Sequence, residues 1–288
     1  MSSSPVVVIT GGTGFLGRAL VGRLSQDPAF TLRVVARREC ELLKLQRDFP
    51  GLEVVAGNVA DAHTWYTACR GGQVVAIYHL AAFKHVRLAE AQPLACLESN
   101  VVGTLNLVRL APQLCPRLRS VLGVSTDKAV QVRGQYGASK LALEGLFLEA
   151  ERLHPRIQWR VVRYGNVMYS TGSVLCIWRE RLKKRLPVWI AQGDSTRFYW
   201  TVEEAVNLIL QCLEDAPDAR PWVPELRGCS LRRLLQAMVR KYAPDPDQVR
   251  LEERDLETSD NMHEKLTVEG PNSAQVRQLT DEELDGMV

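Results

Sequence analysis

The sequence predicts an α/β protein with a doubly wound parallel sheet. Short apolar, β-branched runs alternate along the first half with segments whose apolar residues recur at helical spacing. The first of these runs leads directly into a glycine-rich loop, and polar or small residues follow several of the others. Strands that alternate with helices form parallel sheets with right-handed crossovers, whose ligands lie beyond the carboxyl ends of the strands. We therefore expect one crevice along this edge of the sheet.

Composition excludes several classes of protein. The chain has 288 residues, 46% hydrophobic and 24% charged, which is typical of one or two globular domains. The net charge of +3 and the lack of a basic block interleaved with aromatics argue against a nucleic-acid partner. No apolar run is long enough to span a membrane, and the first residues lack the regions of a signal peptide. Seven cysteines form no C-x-x-C pair, so we expect a cytoplasmic protein with reduced thiols and no metal site.

The periodicity places the elements in order. Strands are predicted at 6–10, 32–36, 53–56, 73–79, 120–124, 157–163 and 187–191. Helices are predicted at 18–24, 93–110, 172–185, 202–213 and 231–242, the second with one apolar stripe made of Leu94, Leu97, Val101, Leu105 and Val108. We expect 215–224 to be a linker, 250–260 an edge strand or loop, and the polar last twenty residues a docked or frayed tail.

A glycine loop follows the first predicted strand. Gly11, Gly14 and Gly17 form a G-x-x-G-x-x-G pattern that contains Thr13, Phe15 and Leu16 and opens a helix. Glycines allow a tight turn and a close approach of the backbone to a pyrophosphate, which the free N–H groups of a helix N-terminus favour. In this context the loop predicts a Rossmann dinucleotide site, the alternative being a plain strand-to-helix turn.

The second strand ends in two arginines, Arg37 and Arg38. An Asp or Glu near this position bonds the ribose of NAD, whereas guanidinium groups suit the 2′-phosphate of NADP. We therefore expect NADP, with NAD as the alternative if both arginines only solubilise the surface.

Four ionisable side chains follow the fifth strand within sixteen residues: Asp127, Lys128, Tyr136 and Lys140. Tyr136 and Lys140 are four residues apart on a predicted helix and therefore share a face. A nearby ammonium, together with a cationic nicotinamide, is expected to lower the pKa of the phenol so that it accepts a proton from an alcohol. Asp127 and Lys128 pair a potential acid with a potential base. The alternative for them is a solvated loop pair.

These motifs resemble the extended short-chain dehydrogenase/reductases, and more narrowly the short, soluble UDP-N-acetylglucosamine 4,6-dehydratases of the C5-inverting type. The resemblance runs from Val6 to about Leu210 and is weaker afterwards, where His263-Glu264-Lys265-Leu266 matches a terminal motif. The stretches that carry it are Thr10-Gly11-x-x-Gly14-x-x-Gly17, Ala81-Ala82-Phe83-Lys84-His85-Val86, Ser125-Thr126-Asp127-Lys128-Ala129, Tyr136-Gly137-Ala138-Ser139-Lys140, Arg163-Tyr164-Gly165-Asn166-Val167 and Thr196-Arg197-Phe198.

The resemblance implies an internal redox dehydration of a nucleotide sugar, with UDP as the expected nucleotide. Tyr136 would remove the C4 hydroxyl proton as hydride passes to NADP, Lys128 would take the C5 proton, and Asp127 would protonate the departing C6 hydroxyl. Hydride would return to C6, giving a 4-keto-6-deoxy sugar. The resemblance also implies a homo-oligomer. It adds to the cofactor site the residues Asn58, Val59, Leu80, Ala81, Ala82, Lys84, Asn100 and Ser125.

The substrate is expected to lie against the second half of the chain. The resemblance implies contacts from Lys84, Thr126 and Asn166; Ser173 and Val174 open a helix whose N–H groups suit a phosphate, and Arg197 suits the diphosphate. Three flanking aromatics predict that Arg197 is partly buried. We expect an NADP-binding core at 1–165, joined by 194–225, and a substrate-binding region at 166–193 and 226–288.

The chain departs from the family pattern at three places. Thr171 stands where an Arg is usual, Asn261-Met262-His263 replaces Arg-Pro-Gly, and Val132-Arg133-Gly134 replaces a turn that contains Pro. The reaction type is therefore better supported than the substrate. Two alternatives stay open: a C4 epimerase that uses the same Tyr and Lys, and a cofactor-binding scaffold or regulator without turnover.

Overall fold

The computed structural model describes residues 4–192, 194–256 and 260–288. Two expectations reach beyond them, because the absence of a signal peptide concerns residues 1–3 and the predicted edge or loop at 250–260 includes 257–259. Those parts of the two predictions lie outside the described residues.

Strands and helices alternate through the first half. The strands are β1 Val6–Thr10, β2 Thr31–Ala36, β3 Glu53–Ala56, β4 Val74–His79, β5 Ser120–Thr126, β6 Gln158–Tyr164, β7 Asn166–Val167, β8 Val188–Ala191, β9 Thr196–Trp200, β10 Pro221–Trp222, β11 Arg227–Ser230, β12 Leu251–Arg254 and β13 Arg277–Gln278. The helices are α1 Phe15–Leu24, α2 Glu39–Asp48, α3 Ala62–Ala68, α4 Val86–Ala91, α5 Pro93–Leu97, α6 Gly103–Leu114, α7 Gln135–Leu153, α8 Val174–Lys183, α9 Val202–Asp215, α10 Leu231–Tyr242 and α11 Asp281–Met287.

A seven-stranded parallel sheet forms the centre of the fold. Its order is β10-β6-β5-β4-β1-β2-β3, so the chain runs outward from β1 in one direction and then in the other. This is a doubly wound sheet, and it confirms the predicted fold class. The switch in winding direction lies between β1 and β4, which places the loops after these strands at one crevice.

Both faces of the sheet are covered, because side chains alternate along each strand. On β1, Val6 and Val8 pack into one core with α3, α6 and α7, where the buried Trp159 and Phe147 rings meet edge to face. Val7 and Ile9 pack into the other core with α1, α2 and α9. The near-continuous apolar runs of the sequence reflect this burial on two faces.

A smaller region follows the central sheet. Strands β13, β11, β9 and β7 form a second sheet, and β8 pairs with β12. A third apolar core packs α8, α10 and α11 together, with Trp178 at its centre and Leu284 and Val288 buried in it. The polar tail therefore docks on α10. Strand β9 pairs in this second sheet, whereas α9 and β10 join the central one; the predicted domain division stays a prediction.

The predicted helix at 93–110 is wrong as a single regular helix. A π-helical turn at Glu98–Val102 separates α5 from α6, and the extra residue shifts the faces before and after it out of line. The predicted apolar stripe fails for this reason, since Leu94 is 77% exposed and Leu97 is also exposed. Asn100 lies inside the π turn and is buried instead.

The expected linker at 215–224 is also wrong. Pro221 and Trp222 pair with Val161 and Val162 as the edge strand β10. Proline lacks a backbone N–H, and an edge strand tolerates this because one of its sides needs no partner.

Two further findings concern the described residues only: none of their helices is long and apolar enough to cross a bilayer, and no three or more His, Cys, Asp or Glu cluster as metal ligands.

The close approach of α7 to the loop after β5 requires glycine at position 137. A Cβ built there would lie 2.3 Å from the carbonyl oxygen of Lys128. We predict that Gly137→Ala lowers the free energy of unfolding by about 1 to 3 kcal/mol, as overpacking does. Gly145→Ala on the same helix is the control, because its Cβ would meet nothing within 4 Å and should add up to about 1 kcal/mol. Urea unfolding measures both, and equal effects of the two substitutions would contradict this account.

Candidate active site

The glycine loop and the loop after β4 contact each other at the crevice. Gly11 has a left-handed φ of 71°, and a Cβ on it would lie 2.7 Å from the backbone nitrogen of Ala81. Thr10 joins the two loops, because its carbonyl accepts from the Leu80 N–H at 3.1 Å and its hydroxyl from the Ala81 N–H at 3.2 Å. Ala81 and Ala82, both partly exposed, therefore border the glycine loop.

The residues around this loop fit a dinucleotide. Helix α1 begins at Phe15 after the N-cap Gly14, so the N–H groups of Phe15, Leu16 and Gly17 have no acceptor within the helix. Phe15 and Leu16, together with Thr13 beside them, are partly exposed. Arg37 and Arg38 are exposed, and their guanidinium groups form no ion pair or hydrogen bond with any described residue. A pyrophosphate at the helix terminus and a phosphate near the arginines suit this arrangement.

The other predicted cofactor residues have different surroundings. Asn58 is exposed, and its Oδ1 accepts from the Ala60 N–H at 3.2 Å. Val59 is buried, and its carbonyl accepts from Trp65 Nε1 at 2.9 Å. Lys84 is exposed, and its Nζ donates to the carbonyl of Thr171 at 3.1 Å. Lys84 therefore ties the loop after β4 to the start of the substrate-side region.

The side-chain amide of Asn100 forms hydrogen bonds with other residues of the protein. Its Oδ1 accepts from the Phe83 N–H at 2.6 Å, and its Nδ2 donates to the Phe83 carbonyl at 3.0 Å and to Ser139 Oγ at 2.9 Å. The amide thus uses one acceptor and both donors without any ligand. Asn100 positions the loop after β4 against α7, and its predicted direct contact with the cofactor stays a prediction.

Asp127 and Lys128 lie in a short 3₁₀ turn that follows β5 at once. Thr126, the last residue of β5, is buried; its side chain donates to Asp127 Oδ1 at 2.8 Å and accepts from the Lys128 N–H at 3.5 Å. Tyr136 is the second residue of α7, which packs on this turn. The structure therefore brings Asp127, Lys128 and Tyr136 together, as the sequence predicts.

The Asp127 carboxyl is held in a form that can carry a proton. Asp127 is 3% exposed, and its Oδ2 has no hydrogen-bond partner among the described residues. Burial raises the pKa of Asp127 to about 6, and the carboxylate of Glu264 also raises it, against the lowering effect of Lys128. A buried carboxyl of this kind is a proton donor near neutral pH.

Lys128 pairs with a carboxylate from the far end of the chain. Its Nζ donates to Glu264 Oε1 at 2.8 Å and lies 3.8 Å from Asp260 Oδ1. Burial alone would lower the pKa of Lys128, but Asp127 and Glu264 outweigh it and raise the pKa above its ordinary value. Lys128 is therefore an ammonium in this structure.

The expected lowering of the Tyr136 pKa involves a bound nicotinamide and stays a prediction, since the protein without cofactor has the opposite shift. Burial raises the pKa of Tyr136 to about 12, and Asp127 adds to the rise. The Lys140 Nζ donates to the carbonyl of Val124 at 2.8 Å, and burial lowers the pKa of Lys140 to about 8. Desolvation of Tyr136 thus outweighs the lowering of its pKa by the Lys128 ammonium and by a hydrogen bond with Thr126.

Ser125 belongs to a buried ionic network below the site. Its Oγ donates to Glu144, and Glu144 also accepts from Arg163 Nε at 2.9 Å and Nη2 at 2.6 Å. Arg163 Nη1 donates to the Leu266 carbonyl at 2.7 Å. The network fixes β5 to α7, β6 and the C-terminal segment, and it uses the serine hydroxyl that was expected to face the cofactor.

The predicted substrate residues in the second half of the chain have different surroundings. Asn166 donates to the Phe198 carbonyl at 3.3 Å, and Ser173 is the N-cap of α8, which begins at Val174. Arg197 is only 6% exposed, more buried than its aromatic neighbours predicted. Its Nη1 donates to the carbonyls of Thr196 at 2.8 Å and Met262 at 3.1 Å, and its Nε lies 3.8 Å from Glu264 Oε1. The guanidinium thus faces Glu264.

The described part of the surface has a small cavity at the site and a larger one away from it. A small one of about 10 Å³, about the room for one water, is lined by Lys128, Tyr136, Gly137 and four neighbouring residues. A larger one of about 390 Å³ lies between α9 and the segment around β10 and β11, with Trp200, Trp222 and Arg277 in its wall. None of the predicted site residues lines the larger cavity.

Sequence reasoning missed two carboxylates at this site. Glu144 lies four residues after Lys140 on α7, so the same helical spacing that paired Tyr136 with Lys140 could have revealed it. Glu264 stands in the terminal motif that the sequence analysis noted, but nothing in the local pattern places it beside Lys128.

Comparisons with known proteins agree with this geometry. A family model described as polysaccharide biosynthesis protein matches residues 7–281. The UDP-N-acetylglucosamine 4,6-dehydratase (inverting) of Campylobacter jejuni is 30% identical over 240 residues, which cover 81% of this chain and 70% of that protein. The UDP-glucose 4-epimerase of Rickettsia bellii is also 30% identical over 240 residues, covering 81% and 69%.

A solved structure extends the likeness of fold. The dTDP-glucose 4,6-dehydratase of Streptomyces venezuelae, crystallised with NAD bound, superposes with a TM-score of 0.77 at 21% identity, covering 98% of this chain and 95% of that one. The fold and site thus define an extended short-chain dehydrogenase/reductase of the nucleotide-sugar dehydratase and epimerase class. The chain belongs to the polysaccharide biosynthesis protein family.

The burial of Asp127 makes a prediction about stability. Its folded-state pKa of about 6 lies above the ordinary value of 3.8, so ionising Asp127 destabilises the fold as pH rises through this window. Asn does not titrate. Asp127→Asn should therefore gain about 2 kcal/mol of unfolding free energy relative to wild type between about pH 4 and about pH 8. Urea unfolding at both pH values measures this change, and a pH-independent difference between the two proteins would refute it.

Proposed function

We propose that the protein is a sugar-nucleotide 4,6-dehydratase that converts a UDP-linked N-acetylglucosamine into a 4-keto-6-deoxy sugar. The observation that carries the proposal is the buried Asp127 carboxyl beside the Lys128 ammonium, with Tyr136 in the first turn of the helix that packs on them. C4 epimerisation needs no acid–base pair for elimination, so these two side chains favour dehydration.

The redox half uses Tyr136 and Lys140. In the proposed reaction the Tyr136 phenolate accepts the C4 hydroxyl proton, and Lys140, held by the Val124 carbonyl, supplies positive charge near the nicotinamide. The cofactor, when bound, supplies a hydride acceptor at C4 and a hydride donor at C6. Because burial and the Asp127 carboxylate raise the pKa of Tyr136 to about 12, the proposal needs the positive charge of the cofactor to lower it in the complex.

The elimination half uses Asp127 and Lys128. The C4 ketone acidifies the C5 proton, which a base removes while an acid protonates the departing C6 hydroxyl, releasing one water. A pKa of about 6 suits Asp127 as the acid. Lys128 is the base that the family resemblance implies, and it must first lose the proton that Glu264 stabilises. Return of hydride to C6 and of a proton to C5 balances the reaction.

We propose NADP as the cofactor because Arg37 and Arg38 are exposed, have guanidinium groups without partners among the described residues and follow β2. The NAD bound to the similar dehydratase of known structure makes NAD the alternative. We also propose that the protein is a homo-oligomer. Leu94 and Leu97 on α5 and Leu141 and Leu148 on α7 are exposed, and the two helices pack together, which supports an apolar interface with a second copy.

The second candidate is a nucleotide-sugar C4 epimerase. It is favoured by the likeness to the Rickettsia bellii epimerase at the same identity as the dehydratase. Tyr136 and Lys140 serve both reactions, so only the product separates the two candidates.

Incubation with UDP-N-acetylglucosamine in deuterated water, followed by mass spectrometry, tests the proposal. We expect a product lighter by one water that carries deuterium from the solvent at C5. Lys128→Ala should lower the rate of this product at least about 10²-fold, as loss of an acid–base group does, yet still reduce bound cofactor when substrate is added. The cofactor that denaturation releases should be NADP.

The control is Lys44→Ala, which removes an exposed lysine paired only with Glu41 and should leave the rate unchanged. A C4 epimer without loss of water would instead identify an epimerase. No conversion of any nucleotide sugar in a panel, with cofactor still tightly bound, would favour a scaffold without turnover.

A further inference from the structure

We infer that Glu264 is a positioning residue that sets the working pH of the Asp127–Lys128 pair by adding a fixed buried negative charge and holding the Lys128 ammonium away from Asp127. The inference deepens the proposed function and rests on it for the reaction that it measures. Glu264 itself has no assigned role in the sequence analysis.

Glu264 is a buried carboxylate that three polar or charged side chains contact. It is 0% exposed, its Oε1 accepts from Lys128 Nζ at 2.8 Å, and its Oε2 accepts from Asn261 Nδ2 at 3.1 Å. Arg197 Nε lies 3.8 Å from Oε1. Burial alone would raise the pKa of Glu264, but Lys128 and Arg197 outweigh it and hold the pKa below its ordinary range. Glu264 therefore stays ionised at neutral pH.

The backbone fixes the position of this carboxylate. The Glu264 N–H donates to Ser273 Oγ at 3.0 Å, and the Ser273 N–H donates to the Glu264 carbonyl at 2.8 Å. Thr196 of β9 bridges to His263 and donates its N–H to the Met262 carbonyl at 3.0 Å. The C-terminal segment is thus attached to the second sheet on both sides of Glu264, and the carboxylate cannot follow Lys128 if the lysine turns elsewhere.

The Lys128 amine donates its hydrogen bond to Glu264 and not to its sequence neighbour Asp127. Lys128 is the neighbour of Asp127 in the sequence, yet its Nζ bonds Glu264, and the described residues include no ion pair between Lys128 and Asp127. Asp127 instead accepts one hydrogen bond from Thr126 and keeps Oδ2 unpartnered. Without Glu264, the ammonium is free to bond Asp127 and stabilise its ionised form.

The direction of the effect is the same whichever residue is acid or base. Removing a buried negative charge stabilises the deprotonated form of each neighbour, so the pKa values of Asp127 and Lys128 both fall. In the protein without cofactor, burial raises the pKa values of Tyr136 and Tyr199, so both side chains are neutral there. The ionisable groups that interact with the pair from α7, β9 and the C-terminal segment are Tyr136, Arg197, Tyr199, Asp260 and Glu264. His263, the neighbour of Glu264, shares a hydrogen bond with Thr196.

The test compares the pH profile of kcat/KM for dehydration in wild type and Glu264→Gln. We expect the optimum of the variant to move to lower pH by about one unit or more, as loss of a charge at this range implies. Glu264→Asp keeps the charge and should restore the wild-type optimum. Glu151→Gln is the matched control: it also removes a carboxylate from a partly buried ion pair, with Arg160, but far from these contacts. A uniform loss of rate with an unmoved optimum would overturn the inference.

Two further measurements keep the inference falsifiable. If Glu264→Gln does not fold, Asp260→Asn removes the second carboxylate near Lys128, at 3.8 Å, and should shift the optimum in the same direction by less. If wild type forms no keto sugar, the proposed function has failed, and the inference is then decided by stability. In the Glu264→Gln background, the pH-dependent gain of Asp127→Asn should shrink; an undiminished gain would overturn it.

Discussion

The hydrogen-bonded ion pair between Lys128 and Glu264 joins residues that are 136 positions apart and holds the two halves of the chain around one site. On one side of it lies the turn after β5, fixed by Thr126 and by the close packing of Gly137. On the other side lies a C-terminal segment attached to β9. A buried ion pair loses hydration, so it persists only when further hydrogen bonds satisfy both charges. Asn261 supplies such a hydrogen bond to Glu264, and the Arg197 guanidinium adds an ion-pair contact at 3.8 Å.

The charge pattern separates two kinds of chemistry within one crevice. Tyr136 and Lys140 carry pKa values set mainly by burial, about 12 and about 8, so their proposed redox role depends on the charge of a bound cofactor. Asp127 carries a pKa of about 6 without any ligand, because burial disfavours its ionised form and the Glu264 carboxylate adds to this effect. The proposed acid of the elimination half therefore carries a suitable pKa in the protein alone, whereas the proposed redox half needs the cofactor. The fold supports both because all four residues follow β5 at the carboxyl edge of the sheet.

Local patterns predicted what depends on neighbours in the sequence. The order of strands and helices, the glycine loop and the approach of Tyr136 to the Asp127 turn follow from periodicity and from spacing along the chain. The π turn at Glu98–Val102 could not be predicted from local periodicity, because the partners of its buried Asn100, Phe83 and Ser139, lie elsewhere in the sequence. Strand β10 was not predicted, because its proline and the charged residues of the segment around it are typical of a linker. Glu264 was recognised only as part of a motif, since its partner lies in another half of the chain.

Direct titration of the Asp127 carboxyl by ¹³C nuclear magnetic resonance tests the central claim. Protein labelled with ¹³C at aspartate side chains is compared with Asp127→Asn to assign the resonance. The account predicts a single transition with a pKa of about 6 in the protein without substrate, since burial and the Glu264 charge outweigh Lys128. A transition at or below the ordinary value of 3.8 would contradict it, because the Lys128 ammonium would then belong to Asp127 rather than to Glu264.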